Sequence, residues 1–207
     1  MPAYFSMSVL FKHGRVKPNF VKEFYAQVIS DEFRFKSGYL RHENAHLDEI
    51  TEWNQKWLEK CRILGYKYYH KHDDIQMIFQ TEYYSELRGY WYYSHEEVSF
   101  NLIVPEYDIL NCEGGSYFIE SKIAPMKKLA VKLWETKYID VIQTSVESDC
   151  GFYGLSKVIA GKNISVNPFA IIPKSVFVNF SNNYFDKMKI QKINNTGVFI
   201  EKVQFKE

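Results

Sequence analysis

Four short aromatic or apolar runs limit the fold of this chain more than any other feature: "YKYYH" (66–70), "IQMIF" (75–79), "GYWYY" (89–93) and "VSFNLIV" (98–104). Polar stretches rich in turn-forming residues separate them, namely "KHDD", "SELRG" and "SHEE". Runs of this length between such stretches are typical of strands joined by short loops. The pattern therefore predicts an antiparallel meander.

Regular elements are also predicted on both sides of the meander. "YFSMSVLF" (4–11) alternates with period two, as a strand does, and "IDVIQTSV" (139–146) is rich in β-branched residues. Apolar residues at three- and four-residue steps predict helices in "NFVKEFYAQVIS" (19–30), from Leu47 to a Gly65 cap, and around Met126 with Pro125 in the first turn. "GLSKVIA" is expected to be a short helix, and "SVFVNF", "MKIQKI" and "GVFIEKVQF" are expected to be closing strands, the last two a hairpin.

No Pro- or Ser-rich linker divides these elements. The sequence therefore predicts a single α+β domain over residues 1–207, with a largely antiparallel sheet and two or three helices packed on it. The strand–helix order at 4–30 is similar to that at 98–146, so a degenerate duplication, with halves of about 1–95 and 96–207, is an alternative.

Charge and composition narrow the functional class. The net charge is +1, which gives no overall basic field for nucleic acid. No apolar run approaches the roughly 20 residues of a membrane span, and the N-terminus lacks the pattern of a signal peptide. The three cysteines are dispersed, without a C-x-x-C pair. These features predict a cytoplasmic protein with reduced thiols and with neither nucleic acid nor membrane as partner.

The string His42-Glu43-Asn44-Ala45-His46 fits H-E-x-x-H, the pattern that presents two zinc ligands and a general base on one helix face. It requires an unbroken helix through both histidines and a third ligand. Asn44 is a good N-cap, and acids follow it at Asp48 and Glu49. We therefore expect a capped helix with His42 outside it, and we keep a zinc hydrolase, with His42 and His46 as ligands and Glu43 as base, as the alternative.

Two other segments of the sequence carry reactive side chains. "YHKHDD" (69–74) offers His70 and His72 beside Asp73 and Asp74, but a polar turn between strands explains it as well. Cys150 precedes a glycine and the predicted short helix, where its thiol pKa would fall, yet no histidine or acid is indicated to accompany it. The sequence predicts no cofactor.

The acidic, aromatic middle of the chain remains. Residues 82–120 hold eight acids and one base, Arg88, whereas residues 122–207 hold thirteen lysines and seven acids. On a strand, Tyr90 and Tyr92 share one face, and Trp91 and Tyr93 share the other. Aromatic side chains with a charged rim are typical of protein interfaces. The predicted partner-binding residues are Glu82, Tyr84, Glu86, Tyr90, Tyr92, Glu96, Glu97, Glu106 and Asp108. A sheet whose tyrosines are half-covered by helices is the alternative.

The layout resembles that of bacterial polymorphic-toxin immunity proteins. The resemblance lies in "SMSVLF", "FVKEFYAQVI", the strand–helix–strand from "VSFNLIV" through "MKKLAVKLWETKYIDVIQTSV", and "GFYGLSK", over about the first 160 residues. It implies a non-enzymatic protein that binds one cognate toxin and blocks it, with contacts in residues 82–120. The near-neutral net charge departs from the acidic balance of nuclease inhibitors, which leaves the chemistry of the toxin open.

Overall fold

The computed structural model describes residues 3–65, 75–111, 117–136, 138–147, 151–181 and 183–202. Nine strands form one sheet: β1 (Tyr4–Phe11), β2 (Arg34–Gly38), β3 (Met77–Gln80), β4 (Leu87–Tyr93), β5 (Val98–Pro105), β8 (Val141–Val146), β9 (Phe169–Pro173), β10 (Met188–Ile193) and β11 (Gly197–Lys202). A separate short pair joins β6 (Leu110–Asn111) to β7 (Tyr117–Phe118).

The strand order is β10-β11-β9-β8-β1-β5-β4-β3-β2, and every neighbouring pair of named strands in it is antiparallel. The predicted α+β class with an antiparallel sheet is confirmed. So are the meander from β3 to β5 and the hairpin of β10 with β11. The run "YKYYH" lies outside the described residues, and the duplication stays a prediction.

Three longer helices cover one face of the sheet: α1 (Phe20–Val28), α2 (Leu47–Leu64) and α3 (Glu120–Trp134). Alternate residues of β1 point at them, and Phe5, Met7, Val9 and Phe11 are all completely buried. Burial of this apolar area is the main contribution to the stability of the fold.

A buried polar network joins these helices to the sheet. The Tyr25 hydroxyl of α1 is 2.9 Å from both Trp91 Nε1 of β4 and Asn54 Nδ2 of α2. Asn54 also bonds both the backbone N–H and the C=O of Ile75, each at 2.9 Å. Because buried polar groups are costly when unpaired, the network fixes how α1 and α2 sit on β4.

The opposite face of the sheet is covered over only one half. A second apolar cluster packs on β8, β9 and β11 and includes side chains from two short helices, α4 (Leu155–Ile159) and α5 (Lys174–Phe177). Over β4, β5 and β1 this face carries polar and aromatic side chains instead, and these line clefts. The uneven cover leaves room for a site beside the edge of the second cluster.

Two local predictions differ from the structure, and two strands were not predicted. "SVFVNF" was expected to be a strand, but Lys174–Phe177 is a helical turn and Val178 is 72% exposed, because β9 and β11 already pair with each other in the sheet. Pro125 lies in the second turn of α3, which begins at Glu120. Two strands, β2 and β9, have no clear period-two signal: β2 is polar, and prolines bound β9.

The outermost strands of the described sheet both carry basic side chains. Arg34 and Lys36 lie on β2, while Lys189 and Lys192 lie on β10, and all four are exposed. Charged residues on edge strands discourage pairing with another chain.

Candidate functional site

A row of polar side chains crosses four central strands on the face that the three longer helices leave uncovered. Tyr90 of β4 is paired with Asn101 of β5, Asn101 with Ser8 of β1, and Ser8 with Gln143 of β8. Directly paired residues in a sheet point to the same side, so the four side chains are neighbours. The prediction that Tyr90 and Tyr92 share one face and Trp91 and Tyr93 the other is confirmed, and the structure shows that Trp91 and Tyr93 enter the core.

Two of these residues are largely buried, and each has one polar side-chain atom without a partner among the described residues. Ser8 is 2% exposed and Asn101 is 5% exposed. Asn101 Nδ2 donates to Ser99 Oγ at 3.2 Å. Among the described residues, however, neither Asn101 Oδ1 nor the Ser8 hydroxyl has a hydrogen-bond partner. Neither atom is among the fully enclosed unpaired side-chain atoms of the described residues. Both therefore reach the cleft, where water or a ligand can supply the missing hydrogen bonds.

Two adjoining clefts lie over Tyr90, Asn101 and Ser8 of this row, and together we call them the polar groove. The hairpin cleft, of about 330 Å³, includes Ser8, Asn101, Tyr92 and Glu97 in its lining. The strand-end cleft, also of about 330 Å³, includes Tyr4, Ser6, Ser145 and Glu147. Tyr90 and Phe152 line both clefts, so the groove is continuous across β4, β5, β1 and β8.

The rim of the groove is the segment from Gly151 to Gly154, which Gln143 holds in place. Gln143 is fully buried, and its Nε2 donates to the Tyr153 carbonyl at 2.8 Å. Its Oε1 accepts from Ser165 N at 2.9 Å. Phe152, in contrast, is 36% exposed. The satisfied Gln143 therefore anchors the rim, whereas the neighbouring Ser8 and Asn101 face the cleft unpaired.

Two predicted partner-binding acids bind the chain's own backbone beside this rim. Glu97 is 9% exposed, and its Oε2 accepts from Leu155 N at 2.8 Å. Glu96 Oε2 accepts from the Ser156 hydroxyl at 2.7 Å and from Ser156 N at 3.3 Å. The bond from the Ser156 hydroxyl, helped by that from the amide, lowers the pKa of the exposed Glu96 carboxyl. Both acids satisfy amides at the start of α4, and of the two only Glu97 lines the groove.

Other predicted acids have similar roles elsewhere. Glu106 Oε1 accepts from Glu147 N at 2.8 Å, and Asp108 Oδ2 accepts from Ser85 N, also at 2.8 Å. Glu86 pairs with Arg88 at 2.9 Å. Among the described ion pairs, only Lys127–Glu120 joins the acidic middle to the lysine-rich C-terminal part. The acids of the middle segment thus mainly bind main-chain amides.

Tyr84 and Glu82 lie away from the groove. Tyr84 is 7% exposed and donates its hydroxyl hydrogen to the Lys122 carbonyl at 2.6 Å, and its burial raises the pKa of the phenol. Glu82 is exposed on the turn before β4. A buried ring cannot contact a partner protein, so Tyr84 does not belong to a partner-binding surface.

The H-E-x-x-H string does not lie on one helix. His42 ends a 3-10 turn (Leu40–His42), and α2 begins at Leu47 with His46 as its extended N-cap. The predicted cap at Asn44 is wrong by two residues, because Glu49 Oε2 accepts the His46 N–H at 2.7 Å. The His42 ring packs against Trp53, 5.8 Å between centroids. His42, Glu43 and His46 therefore do not share a helix face.

The other possible metal ligands of the chain do not form a site either, as far as the described residues show. Within the described ranges, no three His, Cys, Asp or Glu side chains are grouped so as to hold a metal ion. The candidates His70, His72, Asp73, Asp74 and Cys150 lie outside those ranges.

A second cavity, of about 710 Å³, lies between α3 and the hairpin of β10 and β11. Lysines line it, but Lys127 is paired there with both Glu120 and Glu201. Hydrogen bonds to these two acids outweigh desolvation, the largest single effect, and raise the pKa of Lys127. The charge of Lys127 is therefore already neutralised within the chain.

Comparison with known proteins identifies no relative. No protein-family model matches the chain, and neither a curated protein nor a solved structure is similar to it. In the described part of the chain, no helix has both the length and the apolar character needed to cross a bilayer.

Sequence reasoning missed most of the groove floor. The signal was a small polar residue at alternate positions of otherwise apolar strands: Ser6 and Ser8 in "SMSVLF", Ser99 and Asn101 in "VSFNLIV", and Gln143 and Ser145 in "VIQTSV". Because a sheet buried on both faces is normally apolar on both, this alternation marks a face reserved for polar contacts.

Proposed function

We propose that this chain is a non-enzymatic binding protein of the immunity type, which neutralises a partner protein, a toxin domain, by receiving part of it in the polar groove. The supporting observation is that the Ser8 hydroxyl and Asn101 Oδ1 belong to residues lining a cleft with aromatic walls and have no hydrogen-bond partner among the described residues. A partner that supplies the missing hydrogen bonds gains affinity, and one that lacks them leaves buried polar atoms unsatisfied.

The composition of the groove also favours a protein partner. Tyr90, Tyr92 and Phe152 are partly exposed, and tyrosine in particular is enriched among the residues that dominate binding energy at interfaces. Of the predicted partner-binding residues, Tyr90, Tyr92 and Glu97 line the groove, and we centre the contact on them. Glu82, Glu86, Glu96, Glu106 and Asp108 lie outside it.

Binding to a toxin domain tests the proposal, with the candidate sought among the products of the genes adjacent to the one that encodes this chain. The toxin domain is expressed with and without this chain, and cell growth and the dissociation constant of the complex are measured. We expect rescue of growth by the natural chain. We expect Tyr90→Ala or Phe152→Ala to weaken the complex about tenfold or more.

Tyr107→Ala is the matched control, since Tyr107 is 63% exposed but does not line the groove. Equal loss in Tyr107→Ala and Tyr90→Ala, in chains that remain folded, would refute the placement of the contact. Absence of any complex with an adjacent toxin would refute the function itself.

A further inference from the structure

We infer that the hairpin cleft is an arginine-binding site, which receives a guanidinium group from the partner. The inference rests on the proposed function, because the arginine belongs to the partner. It adds the chemical class of the group that is bound.

The hairpin cleft offers hydrogen-bond acceptors. Asn101 Oδ1 and the Ser8 hydroxyl have no partner among the described residues, and Glu97 uses only Oε2 for Leu155 N, which leaves Oε1 without one. All three side chains line the same cleft. A guanidinium carries five N–H donors and no acceptor, so it matches such a set better than a group with mixed polarity.

The charge of the cleft fits a cation. Among the described residues that line it, Glu97 is the only one with an acidic side chain, and none is a lysine or an arginine. Its carboxylate is largely buried, where an opposite charge is attracted more strongly than in water.

The walls of the cleft fit a planar group. Tyr90, Tyr92 and Phe152 surround the acceptors, and guanidinium groups stack on aromatic faces. The chain already contains one such arrangement nearby: the Arg88 guanidinium carbon lies 4.8 Å from the Tyr4 ring centroid and 4.7 Å from that of Tyr39. Arg88 pairs with Glu86 and does not line the hairpin cleft, so it leaves the acceptors there unoccupied.

The size of the cleft limits the occupant. A volume of about 330 Å³ is at the small end of ligand pockets, which span about 300–1,000 Å³. It suits one long side chain with its neighbouring backbone in the strand-end cleft.

Peptide titration with the full chain tests the inference. The probe is acetyl-Gly-Arg-Gly-amide, and the matched peptide carries citrulline, which keeps the shape of arginine without its charge. Binding is followed by the amide NMR signals of Ser8, Asn101 and their neighbours. We expect the arginine peptide to bind at least about tenfold more tightly than the citrulline peptide.

Two variants separate the cleft from the helix cap. Glu97→Gln keeps an oxygen for Leu155 N and is expected to abolish the preference for arginine, whereas Glu96→Gln, at a residue that caps the same helix outside the cleft, is expected to retain it. Asn101→Asp adds a carboxylate to the cleft and is expected to strengthen binding of the arginine peptide alone. Equal affinity for both peptides, or equal loss in the two glutamine variants, overturns the inference.

The two proposals fail separately. A toxin complex that is lost in Tyr90→Ala but unchanged in Glu97→Gln retains the function and removes the arginine site. Selective arginine binding without any toxin complex retains the arginine site and removes the proposed function.

Discussion

The Glu97 carboxylate accepts a hydrogen bond of 2.8 Å from the backbone amide of Leu155, and so ties the β4–β5 hairpin to α4. The bond joins two segments that are distant in the sequence and sets the position of the rim above the groove. Glu97, which the sequence suggests as a partner-binding residue, therefore also stabilises the fold through Oε2. Its Oε1 remains for a ligand in the cleft.

Replacing Glu97 should loosen this rim. Glu97→Ala leaves the Leu155 amide unsatisfied in a buried place, so we expect a loss of about 1–3 kcal/mol in the free energy of unfolding, measured in urea. Amide exchange in α4 should also become faster. Glu96→Ala is the control, because the exposed Glu96 is expected to contribute less than about 1 kcal/mol. Similar losses in both variants would contradict the distinction.

Protonation of the Glu96 carboxyl at acid pH should measurably weaken the stability of α4. The Ser156 hydroxyl, followed by its amide, lowers the pKa of Glu96 below the ordinary value of 4.5. The folded pKa is thus the lower one, so its stabilisation of α4 is present above about pH 4.5 and is lost as the pH falls through the folded pKa. A carboxyl NMR titration measures this, and Ser156→Ala should raise the pKa towards the ordinary value. An unchanged pKa in that variant would exclude Ser156 as the cause.

Ser8 and Gln143 are paired on neighbouring strands but should respond differently to truncation. Ser8→Ala removes a hydroxyl that faces the cleft and has no partner among the described residues, so we expect stability to change by less than about 0.5 kcal/mol, together with weaker partner binding. Gln143→Ala removes bonds to Tyr153 and Ser165, and we expect a loss of about 2 kcal/mol or more. Urea unfolding of both variants checks this. A large destabilisation by Ser8→Ala would show that the hydroxyl belongs to the fold.

How much of this arrangement the sequence predicts depends on the range of the interactions. β1 and α2 follow from periodicity alone, because their apolar residues recur over many positions. The start of α2 does not, because Asn44 and His46 both offer a cap, and the Glu49 side chain decides between them. The predicted strand at "SVFVNF" rested on β-branched residues, whose preference is weak against tertiary context.

The groove was only partly predictable. The alternation of Tyr90 and Tyr92 placed them on one face, and that prediction is confirmed. Their polar neighbours Ser8 and Gln143 come from strands far apart in the sequence, and only the register of β5, β1 and β8 brings them together. Periodicity within one strand carries no information about which strand lies beside it.

The core network around Tyr25 gives a further test. Tyr25→Phe removes the oxygen that accepts from Trp91 and Asn54, so we expect a loss of about 1–3 kcal/mol, measured by urea unfolding. The exposed Tyr107→Phe should change stability by less than about 0.5 kcal/mol. No difference between the two variants would mean that the network does not stabilise the core.

The zinc alternative can be tested by metal analysis of protein purified without a histidine tag. Since α2 begins after the histidine pair, we expect far less than one zinc per chain and no change in thermal stability with a chelator. Stoichiometric zinc that is lost in His46→Ala would revive the hydrolase, and with it a rearranged segment from Leu40 to His46.

The basic side chains on β2 and β10 should oppose edge-to-edge association of two copies of this chain at high protein concentration. Two copies that approach edge to edge bring Arg34 and Lys36 against Lys189 and Lys192, so like charges meet whichever edges face each other. The repulsion is electrostatic and acts over about 8 Å at physiological ionic strength. Concentrated salt would weaken it, and fibril growth from this chain should accordingly be a high-salt phenomenon.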